Sequence, residues 1–304
     1  MAKHIYIYSP SGAVRDKAAF KRGVKRLEAM GHKVEIDPDA LRSSTRFAGD
    51  DACRIEAIHR AAASGADVAL ISRGGYGLTR ILDQLDYKAI AKSISQGTQF
   101  VGISDFTALQ AALLAKTKSM TWAGPALCEG FGAQPEPDEI MEACFDEMLS
   151  GQGEGVGWRQ PLGASVEPYF VENAMLWGGN LSVLCSLLGT PFFPKVKAGV
   201  LFLEDIHEHP YRIERLLAQL LHAGVLGQQK ALLLGQFTGY SLGAHDRGFT
   251  MKSVVRWLQD RLHVPVLTQL PYGHVQTKVL LPVGAKVDLA VEGRDVLVAW
   301  GHVV

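Results

Sequence analysis

The stretch FVGISDFTALQAAL, residues 100–113, joins an apolar, strand-like segment directly to a helical pattern. Ser104 stands at the joint. At such a turn a serine is either a nucleophile, raised clear of the backbone near a helix N-terminus that stabilises negative charge, or a helix cap. Phe106 replaces the second glycine of G-x-S-x-G, so the pattern departs from the α/β-hydrolase turn. Locally, catalysis by Ser104 and capping by Ser104 or Asp105 both stay open.

Short apolar runs alternate with amphipathic segments on either side of this joint, as far as about residue 150. Runs of four to eight apolar residues predict strands, and the longer periodic segments, with Asp50 or Asp51 as one N-cap, predict helices. The order predicts an α/β domain with a parallel sheet covered on both faces. The predicted strands are 4–8, 34–36, 67–72 and 99–103, and the predicted helices are 14–30, 51–63 and 107–116.

The glycine-rich segment GQGEGVGWRQPLG, residues 151–163, predicts a linker between two domains, 1–150 and 164–304. The second domain is predicted to be smaller, with mixed β/α structure. Its pattern indicates strands at 200–203 and 231–237 and helices at 211–222 and 251–262. The tail KVDLAVEGRDVLVAW, residues 286–300, alternates apolar and polar residues around Glu-Gly-Arg, which predicts a hairpin.

Composition limits the function classes. Lys plus Arg and Asp plus Glu each number 31, so the net charge is zero and neither nucleic acid nor an anionic membrane is an expected partner. The four cysteines are far apart and form no CxxC pair, which indicates reduced core residues. The first apolar run is too short for a signal sequence, and no run approaches the ~18 residues of a membrane span. We therefore expect a cytoplasmic protein.

Ligands bind at the carboxyl ends of strands in open α/β sheets, and three loops lie there: 9–12, 73–77 and 102–106. In RGGYG, Gly74 and Gly75 would let a backbone N–H approach a reacting oxygen, and the N–H of Asp105 could be the second donor of an oxyanion hole. An ordinary glycine turn is the alternative. Neither GxxxxGK[ST] nor GxGxxG occurs at these loops, so no nucleotide cofactor is expected.

A serine nucleophile needs a base and a carboxylate that orients the base. Glu204 and Asp205 follow an apolar run, and His274 lies in the loop of PYGHVQTKVLLPVG. A solvated strand end and a surface histidine are the alternatives. Residues 207–209, His-Glu-His, could share a metal, but the spacing is not HExxH and no third ligand accompanies it, so we expect no metal site.

Seven motifs are spread over nearly the whole chain: SPSG at 9–12, RGGYG at 73–77, GISD at 102–105, GGNLSVLCSLLGTP at 178–191, LFLEDI at 201–206, ALLLGQFT at 231–238, and GH at 273–274 followed by LPVG. In these motifs the chain resembles the LD-carboxypeptidase family of serine peptidases. That family includes muramoyltetrapeptide carboxypeptidases and, as a related branch, the microcin C self-immunity proteins.

The resemblance implies a Ser-His-Glu triad and an acyl-enzyme. Ser104 would be the nucleophile, His274 the base, Glu204 its orienting partner, and the N–H groups of Gly75 and Asp105 the oxyanion donors. It further implies removal of the terminal D-alanine from a murein tetrapeptide in cytoplasmic peptidoglycan recycling, by a cofactor-free homodimer. The family usually has tyrosine or phenylalanine where this chain has Ile103, which could alter the pocket beside the nucleophile.

A terminal carboxylate calls for a cation, and Arg73 is the candidate, with a structural salt bridge as its alternative. Trp177 and Asn180 are expected in a loop over the cleft, or in a turn where Asn180 or Ser182 caps the next helix. A self-immunity type hydrolase would instead cleave an acyl-sulfamoyl or aminoacyl nucleotide and would need an aromatic surface, from Trp177 or Tyr76. A binding module without catalysis is the third alternative.

Overall fold

The computed structural model describes residues 2–162 and 167–301. These residues form a six-stranded and a seven-stranded sheet with helices packed against them. The strands are β1 His4–Tyr8, β2 Lys33–Ile36, β3 Val68–Ile71, β4 Gln99–Gly102, β5 Thr121–Ala123, β6 Gly155–Arg159, β7 Tyr169–Asn180, β8 Val200–Ile206, β9 Ala231–Thr238, β10 Val266–Leu267, β11 Leu281–Val283, β12 Lys286–Glu292 and β13 Asp295–Ala299. The helices are α1 Lys17–Ala29, α2 Asp51–Ala63, α3 Tyr87–Ser95, α4 Thr107–Thr117, α5 Glu139–Ser150, α6 Leu181–Ser186, α7 Pro210–His222 and α8 Met251–Gln259.

Alternation along β1 shows why helices cover both faces of the first sheet. Ile5 and Ile7 belong to a buried cluster with side chains of α1 and α5, whereas Tyr6 and Tyr8 belong to a second cluster with side chains of α2, α3 and α4. Successive side chains of a strand point to opposite faces, so both faces of the sheet are apolar and both need cover. The predicted parallel sheet covered on both faces is confirmed.

The first sheet has the order β2-β1-β3-β4-β5-β11. Its first five strands pair in parallel, and β11 joins the edge antiparallel, with Leu281 opposite Ala123. A strand from the C-terminal part of the chain thus completes the N-terminal sheet. The carboxyl end of β4, where the serine turn begins, lies in the interior of the sheet rather than at its edge.

The second sheet is mixed, with the order β10-β9-β8-β7-β12-β13-β6. Strands β7 to β10 pair in parallel, and β12, β13 and β6 continue antiparallel. The predicted hairpin is present: β12 and β13 pair as far as Glu292 opposite Asp295, and Gly293 takes the positive φ of +58° that this tight turn requires. The mixed second unit agrees with the expected fold class.

The predicted linker is partly wrong, because Gly155–Arg159 forms β6 and pairs with β13. Glycine allows this pairing: a Cβ atom at Gly155 would lie 2.5 Å from the carbonyl oxygen of Val298, so the neighbouring backbones approach closely. Residues 163–166, where the predicted linker ends and the second domain begins, lie outside the described residues. The division into domains 1–150 and 164–304 stays a prediction.

Helix starts follow the capping residues more closely than the apolar pattern. Helix α1 begins at Lys17 instead of residue 14, because the Asp16 carboxylate accepts a hydrogen bond from the N–H of Ala19. Asp50 caps α2 in the same way, which decides between the two predicted caps, Asp50 and Asp51. Across the described ranges, no helix combines the length and the apolar content that crossing a bilayer requires.

Candidate active site

Ser104 lies on a strained turn between β4 and α4. Its φ is +68°, a left-handed value that a residue other than glycine rarely adopts. The capping alternative is not met: among the residues that the structure describes, no side chain caps the short turn Ser104–Phe106 or α4. The Asp105 carboxylate instead accepts a hydrogen bond from the distant N–H of Leu78 at 2.9 Å. Desolvation by burial raises the pKa of Asp105.

Phe106 fits at this turn because Gly102 has no side chain. A Cβ atom at Gly102 would lie 2.6 Å from Cγ of Phe106, and the Phe106 side chain is fully buried. The glycine before the serine therefore makes the space that the missing second glycine of G-x-S-x-G would otherwise provide. The departure from the α/β-hydrolase pattern does not prevent a tight strand-to-helix turn.

The glycine loop after β3 packs directly on Ser104. A Cβ atom at Gly74 would lie 2.7 Å from Oγ of Ser104, so only glycine permits this approach. Gly75 has a φ of +115°, and the N–H of Gly12 donates to the carbonyl of Gly74 at 3.1 Å. The SPSG loop thereby holds the RGGYG loop against the serine.

His274 and Glu204 form a hydrogen-bonded pair. Nδ1 of His274 lies 2.7 Å from Oε2 of Glu204, whose side chain is fully buried at the end of β8. The carboxylate requires a proton on Nδ1, which leaves Nε2 as the free base. Burial lowers the pKa of His274, but the hydrogen bond and negative charge of Glu204 outweigh it, so the pKa is raised.

Asn180 donates hydrogen bonds to both of the adjacent carboxylates, Glu204 and Asp205. Its Nδ2 donates to Oε1 of Glu204 at 3.2 Å and to Oδ1 of Asp205 at 3.0 Å. Asp205 turns away from His274 and accepts a hydrogen bond from the N–H of Ser182 at 2.8 Å. Burial and the neighbouring charge of Glu204 raise the pKa of Asp205. Glu204, and not Asp205, is the carboxylate that meets the histidine.

Ser104 and His274 line one cavity of about 560 Å³, together with Gly74, Gly75 and Arg73. The structure therefore brings together residues from both sheets that the sequence predicted as site residues. Arg73 is engaged within the protein: its Nε lies 3.5 Å from Oε1 of Glu129, and its Nη1 donates to the carbonyl of Ala13. Arg73 thus lies at the pocket, and its contacts are those of the salt-bridge alternative.

The predicted loop at Trp177 is wrong, because this residue continues β7 and pairs with Leu201 of β8. Its side chain is 1 % exposed, and the indole Nε1 donates to Oε1 of Gln229 at 2.9 Å. Trp177 thus packs in the core and does not line the cavity. Asn180 caps α6 by accepting from the N–H of Val183, which agrees with the capping alternative.

Lys278, which was not predicted as a site residue, lines the same cavity although the residue is only 3 % exposed. Desolvation by burial lowers its pKa. The signal was present: a lone lysine four residues after His274 interrupts the apolar end of YGHVQTKVLLPVG.

The histidines of the His-Glu-His segment have separate partners. Nδ1 of His207 lies 2.9 Å from the carbonyl oxygen of Gly239, and Nε2 of His209 lies 3.2 Å from the carboxylate of Asp246. In the part of the chain that the structure describes, no group of three or more His, Cys, Asp or Glu residues could hold a metal ion.

Comparison with known proteins defines the class as a peptidase-type hydrolase. The model of the LD-carboxypeptidase N-terminal domain matches residues 5–124, and that of the C-terminal domain matches residues 173–289. The chain belongs to the LD-carboxypeptidase family, as its motifs predicted.

Individual relatives extend over nearly the whole chain. The crystal structure of muramoyltetrapeptide carboxypeptidase from Oxalobacter formigenes is 36 % identical, with a TM-score of 0.86 and 98 % of each chain covered. A Bacillus subtilis protein named "Probable murein peptide carboxypeptidase" is 27 % identical over 90 % of this chain and 85 % of its own. The microcin C7 self-immunity protein MccF of Escherichia coli is 25 % identical over 95 % of this chain and 90 % of its own.

Proposed function

We propose that this protein is a serine LD-carboxypeptidase that removes the terminal D-alanine of a murein tetrapeptide. One observation carries the proposal: the Glu204-bound imidazole of His274 opens into the same cavity as Ser104, which sits on a left-handed turn. Family membership and the name of the Oxalobacter formigenes enzyme support the substrate.

The mechanism uses groups of this chain alone. Nε2 of His274 takes the proton of Ser104 Oγ while the oxygen attacks the scissile carbonyl, and the N–H groups of Gly75 and Asp105 stabilise the oxyanion. The C–N bond then breaks, and the imidazolium protonates the leaving amine of D-alanine. Water next attacks the acyl-enzyme with His274 again as base, which releases the shortened peptide and restores Ser104. Glu204 holds the imidazole and stabilises its charged form.

The lining of the cavity favours a peptide over a nucleotide. Among the described residues that line it there is no Trp, Tyr or Phe. Trp177 is buried elsewhere, and Tyr76, which is 42 % exposed, packs against Phe47 and Arg46. The aromatic surface that the self-immunity alternative would take from Trp177 or Tyr76 is therefore not part of the described lining.

The direct test is mass spectrometry of L-Ala-D-Glu-meso-diaminopimelate-D-Ala after incubation with wild type and with Ser104→Ala. Loss of one alanine with wild type alone is the expected result. An aminoacyl-sulfamoyl adenosine is incubated with the enzyme in parallel. If the enzyme cleaves this compound and leaves the tetrapeptide intact, the self-immunity type of substrate is the correct one. A stoichiometric reaction of Ser104 with an activated phosphonate, absent in Ser104→Ala, is the result that separates an enzyme from a binding module.

The proposal includes a cellular role and an oligomeric state. A cytoplasmic role in peptidoglycan recycling follows from the proposed substrate, because recycled murein peptides are shortened inside the cell. The homodimer expected from the family resemblance is tested by sedimentation equilibrium, which should give twice the chain mass of 33.0 kDa.

A further inference from the structure

Two cationic side chains line the cavity, and they differ in what holds them. Arg73 contacts the carboxylate of Glu129 and a backbone carbonyl. Its guanidinium lies between the SPSG loop and the glycine loop: a Cβ atom at Gly12 would lie 2.6 Å from its Nη1, and one at Gly75 would lie 3.2 Å from it. Arg73 is therefore bound into the protein and supports the loop. Its partners leave it poorly placed to serve as the main anion-binding group.

Lys278 has no such partner. Lys278 is 3 % exposed, and its ammonium is reached only from the cavity that it lines. Within residues 2–162 and 167–301 this ammonium makes no hydrogen bond and no ion pair, and the acidic groups act on it through their charges alone. Burying a charge without a partner is costly, because water no longer solvates it. An unpartnered buried cation that lines a cavity indicates that a ligand supplies the missing anion.

The carboxylates whose charges act on Lys278 are committed elsewhere. Glu204 is bonded to His274 and Asn180, and Glu129 lies against Arg73. Asp138 caps α5 and accepts a hydrogen bond from the Thr277 hydroxyl. The acidic groups of the protein thus act on Lys278 only from a distance, and none of them forms an ion pair with its ammonium in the described part of the chain.

The proposed substrate brings an anion to this place. In a peptide cleaved before its last residue, the terminal carboxylate is only three bonds from the scissile carbonyl carbon, roughly 4 Å away by ordinary backbone geometry. Any pose that puts the scissile carbon at Ser104 therefore puts the carboxylate inside the same cavity. Other carboxylates of the peptide lie on the far side of the scissile bond.

We propose that Lys278 binds the terminal carboxylate of the substrate and thereby restricts cleavage to the last peptide bond. This inference rests on the proposed function and assigns the residue that makes the enzyme a carboxypeptidase. A peptide that ends in an amide, or that continues beyond the D-residue, would leave the buried ammonium unpaired and would be rejected.

The test compares the tetrapeptide with its C-terminal amide, each assayed with wild type, Lys278→Met and Lys278→Arg. Methionine retains the length and packing of lysine without its charge, and arginine retains the charge. Wild type should prefer the free acid by roughly 10- to 100-fold in kcat/KM, mainly through KM. Lys278→Met should abolish this preference, and Lys278→Arg should keep part of it. Lys286→Met, at an exposed position of β12, is the matched control and should behave as wild type.

An acid-to-amide ratio that Lys278→Met leaves unchanged would overturn the inference while the proposed function stands. If wild type cleaves neither peptide, the proposed function fails, and binding of N-acetyl-D-alanine and its amide, followed by ligand-observed NMR, decides the inference separately. Binding of the acid alone, lost in Lys278→Met, supports the carboxylate site. Equal binding of both compounds, binding of neither, or binding of the acid that survives Lys278→Met refutes it.

Discussion

Gly74 and Ser104 are in such close contact that a Cβ atom at Gly74 would lie 2.5 Å from Cβ of Ser104 and 2.7 Å from its Oγ. The contact joins the glycine loop after β3 to the serine turn after β4, two adjacent parallel strands. The position of the serine hydroxyl therefore depends on the absence of one side chain in a neighbouring loop.

Gly74→Ala should lower kcat/KM by roughly 10²-fold or more, because the new methyl group displaces the hydroxyl or the loop by several tenths of an ångström. Gly227→Ala is the matched control, since a Cβ atom there meets nothing within 4 Å. Steady-state kinetics and thermal unfolding of both variants make the comparison. Full activity of Gly74→Ala would show that the loop yields freely and that the contact has no catalytic consequence.

The raised pKa of His274 predicts the position of the acidic limb of activity. The base must be neutral, so kcat/KM should fall as the pH drops through a midpoint above the ordinary histidine value of about 6.5. In Glu204→Gln the carboxylate that raises the pKa is gone and burial still lowers it, so the midpoint moves to lower pH.

NMR titration of the His274 imidazole in a Ser104→Ala background measures this shift without any need for turnover. The background of Ser104→Ala with Glu204 intact is the control. If the His274 imidazole titrates with the same midpoint in both backgrounds, Glu204 does not raise its pKa. Activity of Glu204→Gln should also fall, by about 10⁴-fold if the imidazole takes the wrong tautomer.

The triad residues should act as a unit. Ser104→Ala and His274→Ala should each lower kcat by several powers of ten, and the double variant should be no worse than either within about 10-fold. The physical reason is that the base has no proton to take once the hydroxyl is gone. Single-turnover kinetics of the three variants, with enzyme in excess over substrate, provide the measurement. If the loss in the double variant equals the product of the two single losses, the two residues do not act on one step.

The sequence predicted those parts of the fold that depend on local pattern. Alternation of apolar residues predicted β1 and the hairpin of β12 and β13, and Asp50 predicted the start of α2. It did not predict that Gly155–Arg159 pairs with β13, because that pairing depends on a close backbone approach between distant segments. Likewise, β11 belongs to the first sheet because of long-range packing, which local pattern does not contain.

The residues of the candidate site were likewise predicted where local sequence marks them and missed where their role depends on packing. Ser104, Glu204 and His274 stand out in sequence as polar groups next to strand ends, and the motif resemblance assigned their roles. Trp177 was misplaced because an aromatic residue before two glycines is compatible with both a loop and a buried strand end. Lys278 interrupts an apolar run, which is a signal, but sequence does not show whether such a lysine is buried or has a partner.

Trp177→Phe should lower stability without affecting turnover. The substitution keeps an aromatic ring but removes the Nε1 donor and part of the indole volume. The buried Oε1 of Gln229 then loses its partner at a cost of about 1–3 kcal/mol, and the smaller ring adds the cost of a cavity. Because Trp177 packs away from the cavity, kcat and KM at 25 °C should stay within twofold of wild type. Denaturant unfolding and steady-state kinetics are both needed. A large rise in KM would show that Trp177 contributes to substrate binding.

Asn180 should link the stability of the second sheet to catalysis, because one side chain serves two carboxylates and a helix cap. Asn180→Ala removes the Nδ2 donor from Glu204 and Asp205 and the acceptor of the Val183 N–H. We expect a loss of about 1–3 kcal/mol in the free energy of unfolding, and a fall in kcat of roughly 10- to 100-fold as Glu204 loses its orientation.

Asn180→Asp separates capping from the carboxylate role, because Asp keeps a cap acceptor but brings a third acidic group beside Glu204 and Asp205. The pKa of Asp205 is already raised by burial and by Glu204, and another negative charge raises it further. A group whose pKa is raised on folding stabilises the protein fully below its unfolded pKa, and that stability is lost as the pH rises through the folded pKa. Unfolding measured upward from about pH 4, the ordinary Asp pKa, should therefore show Asn180→Asp losing stability relative to Asn180→Ala as the pH rises toward the raised pKa of Asp205. Parallel curves for the two variants would mean that the carboxylates do not interact through this position.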